Sequence, residues 1–271
     1  MAMRRIRAMM VWLAAGIIFD LLLLESHSVQ VKLGNAGELT GYWLFGIMVF
    51  LALFNLRKKL SMIPLGNAST WLLLHAVGGT LALAVYWVHT QSIWPNGTYE
   101  RALAVLFYFT VLSGILGYIV QRIYPPILTQ TGIEVIFERI PSHLFEIRER
   151  AEALVLKCCD ETRVDTLGKH YLDTMEWFFR RPRFAAQHYV GGQRSSQWIR
   201  QQDANVRRYL NDEERAYLGE LTDLAFQKNQ IDVHYALQSV LKRWLIVHIP
   251  LTVALMTMAV WHLLIVNVYA L

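Results

Sequence analysis

Five apolar stretches, at about 8–25, 41–56, 69–93, 102–123 and 244–270, constrain this chain more than any other feature. Roughly 20 apolar residues in a helix cross the hydrocarbon of a bilayer. Inside it every backbone N–H and C=O must be paired, which leaves only helices or closed barrels. Continuous apolar runs of this length, without period-two alternation, select helices. The second run is the shortest and the first contains Asp20. With 55% hydrophobic and 12% aromatic residues, the chain exceeds ordinary soluble composition. The expected fold is all-α: a five-helix transmembrane bundle, with a helical cytoplasmic insertion between helices four and five. Helices one to four fall within 1–123, the insertion within 124–243 and helix five within 244–271.

The loops give a direction. Arg4, Arg5 and Arg7 precede the first stretch and Arg57, Lys58 and Lys59 follow the second, whereas the loop between them carries only Lys32 and the loop after the third only Arg101. Basic residues stay on the cytoplasmic side, so the N-terminus and the insertion are expected inside and the C-terminus outside. The expected location is an integral protein of a bacterial inner membrane. The first stretch reads as a retained span rather than a signal peptide.

The insertion holds 18 of the 26 basic residues and 17 of the 21 acidic ones, counted from Gln121 to Arg243. It is therefore nearly neutral. The remaining basic residues flank the spans, which excludes nucleic-acid binding as the meaning of the overall charge of +5. IEVIFERIPSHLFEIRERAEALVLKCC has apolar residues at three- and four-residue steps, interrupted by Pro141. NDEERAYLGELTDLAFQKN opens with a capping pattern from Asn211 to Glu214. FFRRPRF and YVGGQRSSQ read as loops. Cys158 and Cys159 are adjacent, a spacing that fits no zinc, redox or covalent haem motif, and are expected as free thiols. No strand precedes a GxGxxG pattern, so no flavin or nicotinamide domain is expected.

Two of the apolar stretches each carry a pair of histidines fourteen positions apart: His75 and His89 in HAVGGTLALAVYWVH, His248 and His262 in HIPLTVALMTMAVWH. Fourteen residues of helix rise about 21 Å and stop about 40° short of four turns, so both imidazoles share one face, one near each membrane surface. The loop charges make spans three and five parallel, which sets His75 level with His248 on the inner side and His89 level with His262 on the outer. Polar groups in lipid are expensive and mark function. Two opposed imidazoles are what a six-coordinate haem requires of a protein, because the porphyrin supplies the four equatorial nitrogens. The expected metal ligands are His75 and His248 for an inner iron, His89 and His262 for an outer one. Both would be non-covalent b-type haems.

These two segments resemble the ligand helices of dihaem membrane cytochromes b, in bc complexes and in the transmembrane part of ferric reductases and NADPH oxidases, where two helices each carry two haem-ligating histidines at thirteen- or fourteen-residue spacing. The use of spans three and five is similar to the ferric-reductase group. The lack of a C-terminal flavin domain departs from it, and no PEWY-type quinol-oxidation signature is present. The resemblance covers the spans only.

Around the histidines, Gly78 and Gly79, and Gly114 and Gly117 on span four, would let a flat macrocycle approach the backbone; close helix packing explains them equally well. Arg122 and Arg243 stand at the cytoplasmic ends of spans four and five, where they suit the propionates of an inner haem, and Arg101 or Lys32 those of an outer one; topology alone also accounts for them. Pro250 is expected to kink span five. His143, His170, His188 and His234 read as surface or insertion-core residues, while His27 beside Glu25 is an outside candidate for proton handling. The function expected is an electron-transfer subunit working between quinone or quinol and a partner redox subunit of iron–sulfur, flavin or c-type cytochrome type. The alternatives are a stand-alone quinol-dependent reductase of metal or oxygen, and a non-haem transporter whose histidines carry protons or metal.

Overall fold

The computed structural model describes residues 2–55 and 67–269, and among these there are helices and no strand. The basic cluster Arg57, Lys58 and Lys59 lies outside the described residues. The chain forms two compact units: 1–119 together with 244–271, and 120–243. Two long helices carry the chain from one unit to the other.

The first unit contains α1 (Ala2–Val31), α2 (Ala36–Ala52), α3 (Ala68–Thr90), the first two-thirds of α4 (Thr98–Gln130) and the last part of α10 (Asp212–Tyr269). Helices α1, α3, α4 and α10 are long and apolar enough to cross a membrane, whereas α2, also apolar, has 17 residues. This is the composition of an integral membrane protein. The outward face agrees: Leu13, Ile17, Leu21 and Leu24 follow one another along α1 at helical steps, and each is more than half exposed. Such a stripe has no counterpart on a soluble helix, whose outer face is polar.

Asn35 starts α2 by accepting from the N–H groups of Gly37 and Glu38 while its amide donates to the Glu38 carboxylate. α2 packs most extensively against α3. The core joins Leu44 and Met48 of α2, Val85 and Tyr86 of α3, Ala104 and Phe107 of α4, and Leu255 of α10. Pro250 lies within α10, and the helix continues past it to Tyr269.

The second unit buries Ile140, Ile147, Ala151, Val155 and Cys158 on α5 (Ile140–Thr162), the stripe that the apolar spacing implied. Pro141 does not interrupt this helix; it occupies the first turn, where its missing N–H has no intrahelical acceptor to lose. After α5 come α6 (Thr166–His170), a π-helical turn (Tyr171–Met175), α7 (Glu176–Arg180), α8 (Ala185–His188) and α9 (Arg194–Arg207). FFRRPRF is thus helical as far as Arg180, and RSSQ begins α9 instead of continuing the loop. The capping pattern forms in full: Glu214 N–H donates to Asn211 Oδ1 at 2.7 Å and Asn211 N–H to Glu214 Oε2 at 3.1 Å. Both cysteines are free thiols.

From Glu214 onward α10 buries Leu218, Leu221, Ala225, Lys228 and Asp232 at three- and four-residue steps. Helical phase therefore drives a lysine and an aspartate into the core together. Lys228 Nζ meets Asp232 Oδ2 at 2.6 Å, donates to the Arg181 carbonyl at 2.7 Å and lies 4.0 Å from the centre of the Phe178 ring. Burial pulls the Lys228 ammonium down to about 8 and pushes the Asp232 carboxyl up to about 6, each against the attraction of its partner. His188, buried nearby, is lowered by burial and then by the Lys228 charge. Removing one member of a buried pair strands the other charge, at a cost of about 3–5 kcal/mol, whereas replacing both with apolar residues is close to neutral. Asp232→Ala should therefore lower the thermal stability of the detergent-solubilised chain strongly, and adding Lys228→Met should recover most of the loss; equal damage from single and double variants would contradict this account.

Candidate functional site

The site is built where α2, α3, α4 and α10 pack in the first unit. His89 on α3 and His262 on α10 face each other with ring centres 6.4 Å apart and planes at 83°. Both rings line a cavity of about 360 Å³ whose walls include Leu44, Phe45, Met48, Phe107, Leu255 and Val266, with Asn35, Glu38 and Glu100 among the polar residues.

His89 is fixed by α2. Its Nδ1 lies 3.0 Å from the Gly37 carbonyl oxygen and 3.3 Å from Thr40 Oγ1. The carbonyl can only accept, so Nδ1 carries the proton and Nε2 is left as the nitrogen with a free lone pair. A Cβ on Gly41 would stand 2.9 Å from His89 Cε1, which only glycine avoids. On the other side, His262 stacks on Tyr99 at 6.0 Å, and the Tyr99 hydroxyl donates to the Met258 carbonyl at 2.7 Å. Tyr42 of α2 donates to Asn267 Oδ1 at 2.6 Å, close to the end of α10.

His75 and His248 sit fourteen residues earlier on the same two helices. His248 Nδ1 lies 3.2 Å from Ser113 Oγ of α4, and its ring stacks on Trp244 at 5.1 Å. The Trp244 indole donates to the Ser113 carbonyl at 2.7 Å. It lies against Gly117, where a Cβ would come within 2.0 Å of the ring. His75 packs on Phe54 at 4.7 Å, and its Nδ1 is buried with no hydrogen-bond partner among the described residues.

The other residues expected at the site fall as follows. Gly114 faces His248, its absent Cβ 3.7 Å from the Cε1 of that ring. Gly78 faces Leu51 of α2 at 3.0 Å, a close helix contact, and Gly79 has open space beside it. Arg101 donates to the Pro95 carbonyl at 3.1 Å. Arg243 belongs to the second unit, where it reaches Ser239 and the Tyr189 hydroxyl. Arg122 and Lys32 are exposed, as is His27. His234 is buried in the second unit between Thr131 and Gln238. Reading the sequence missed Gly37, Thr40 and Gly41 on α2 and Ser113 on α4. The signal was present: GELTG sets two glycines four positions apart around a threonine, a small-residue face on an apolar helix.

Among the described residues, no three His, Cys, Asp or Glu side chains converge as a metal-ion site. What meets is one pair of histidines, His89 and His262. No protein-family model, no curated protein and no solved structure matches the chain.

The Trp244 packing is open to test. Gly117→Val should displace the indole from Ser113, with a loss of about 1–3 kcal/mol in stability from overpacking and a changed near-ultraviolet dichroism; an unchanged spectrum and melting temperature would show that the indole does not depend on this glycine.

Proposed function

We propose that this chain is a five-span membrane cytochrome b subunit, holding two b-type haems in two tiers and passing electrons across the bilayer between quinone or quinol and a partner redox subunit. The observation that carries the reading is the pairing of His89 with His262 at 6.4 Å beside an apolar-lined cavity, with His75 and His248 fourteen residues earlier on the same two helices. In this reading α2, with 17 apolar-rich residues, is the second of the five spans.

When bound, haem supplies one-electron redox chemistry at its iron. The protein's contribution is positional. His89 and His262 would hold an outer iron, the Gly37 carbonyl keeping the His89 proton on Nδ1. His75 and His248 would hold an inner one, with His248 steered by Ser113 and braced by Trp244. Leu44, Met48, Phe107 and Leu255 give the cavity a largely apolar lining, which would lower the local dielectric around a bound iron. A quinol releases two electrons and two protons, so electrons enter singly and the protons leave separately. The helical insertion, with its nearly balanced charge, is the surface offered to the partner subunit and to the cytoplasm.

Purified full-length protein should show reduced-minus-oxidised bands of low-spin b-type haem at two haems per chain. His75→Ala or His248→Ala should remove one, and His89→Ala or His262→Ala the other. A colourless preparation sinks the proposal, and loss of the same haem from His75→Ala and His89→Ala sinks the pairing.

A further inference from the structure

Every feature that disposes His89 toward a metal comes from a helix that carries no histidine. The first turns of α2 place three neighbouring residues against that one ring. The Gly37 carbonyl stands 3.0 Å from Nδ1, Thr40 Oγ1 stands 3.3 Å from the same atom, and a Cβ on Gly41 would stand 2.9 Å from Cε1. The hydrogen bonds leave no ambiguity of direction. Thr40 Oγ1 is 2.9 Å from the Ala36 carbonyl and donates its proton there, which makes its oxygen an acceptor for His89. The Nδ1 proton is thus shared between a carbonyl and a hydroxyl. Thr40 is 1% exposed, so water does not compete for these bonds. Asn35 in turn locks the start of α2 by capping it at Gly37 and Glu38.

We infer that the Gly37–Gly41 turn of α2 is a positioning element for the outer haem: the Gly37 carbonyl and Thr40 hydroxyl fix the tautomer and tilt of His89, and Gly41 gives the ring its place. The inference rests on the dihaem reading. At the other tier His248 meets the Ser113 hydroxyl and His75 a backbone hydrogen bond to Leu51, so each histidine of that tier has one described partner where His89 has two on one nitrogen. Acceptors on the second nitrogen make an imidazole a stronger donor and fix its orientation, and losing them costs affinity. An imidazole made more basic favours ferric iron, so Thr40 and Gly37 hold the outer potential down.

The test uses the full-length protein in detergent or nanodiscs, with haem per chain, low-spin electron paramagnetic resonance and a redox titration as readouts. Gly41→Ala should push the ring, altering the resonance and midpoint of one haem and lowering its occupancy, while the other stays as in the wild type and certifies the fold. Thr40→Val should raise the same midpoint, and Thr40→Ser should restore it. The affected haem must be the one that His89→Ala removes. If wild-type protein holds two haems and neither Gly41→Ala nor Thr40→Val moves that midpoint, the positioning role is wrong and the dihaem reading stands. The positioning role fails equally if the moving midpoint belongs to the haem lost in His75→Ala. A wild-type protein without haem overturns both.

Discussion

An unpaired backbone amide or carbonyl in hydrocarbon costs several kcal/mol, so a chain enters the membrane only as helix or closed barrel, and the apolar segments of this one are helical. Everything at the site follows from the phase this imposes. A helix turns about 100° per residue, and fourteen residues return a side chain almost to the same face at about 21 Å of rise. His75 and His89 are therefore bound together geometrically, as are His248 and His262. Once α3 and α10 run parallel, bringing one pair to 6.4 Å leaves the second pair little freedom to be elsewhere. The same arithmetic acts in the second unit, where Lys228 and Asp232 are buried because their phase on α10 is that of Leu218, Leu221 and Ala225.

This explains which parts of the molecule can be read from the sequence. Features carried within one helix are legible: the histidine spacing, the buried stripe of α5 and the Asn211–Glu214 cap all depend on residues a few turns apart at most. Pro141 looks like an interruption because periodicity alone does not say where a helix begins, and proline is acceptable only in its first turn. The helices also outrun the apolar stretches, since α1 extends to Val31 and α4 to Gln130, past Pro125 and Pro126. Polar residues continue a helix without changing hydropathy enough to mark its end.

What the sequence conceals are the contacts between helices. Gly37, Thr40 and Gly41 serve a histidine about fifty residues away, and Ser113 serves one 135 residues away. Glycine and serine in apolar helices have many uses, and pattern does not single out the one in play. Gly78 shows the ambiguity from the other side: it lies next to the ligand helix's first histidine in sequence, yet its bare face meets Leu51 of α2.

The polar atoms of the site argue against an arrangement made for packing alone. A core built only to pack would place an apolar side chain at each of these positions, because burying an imidazole nitrogen without a hydrogen bond costs about 1–3 kcal/mol. Here the bundle retains four imidazoles, gives His89 two acceptors on one nitrogen, and leaves His75 Nδ1 buried with no partner among the described residues. His89 and His262 also line a cavity of about 360 Å³ together with Leu44, Phe107 and Leu255, so the bundle leaves space beside these polar rings instead of closing over them.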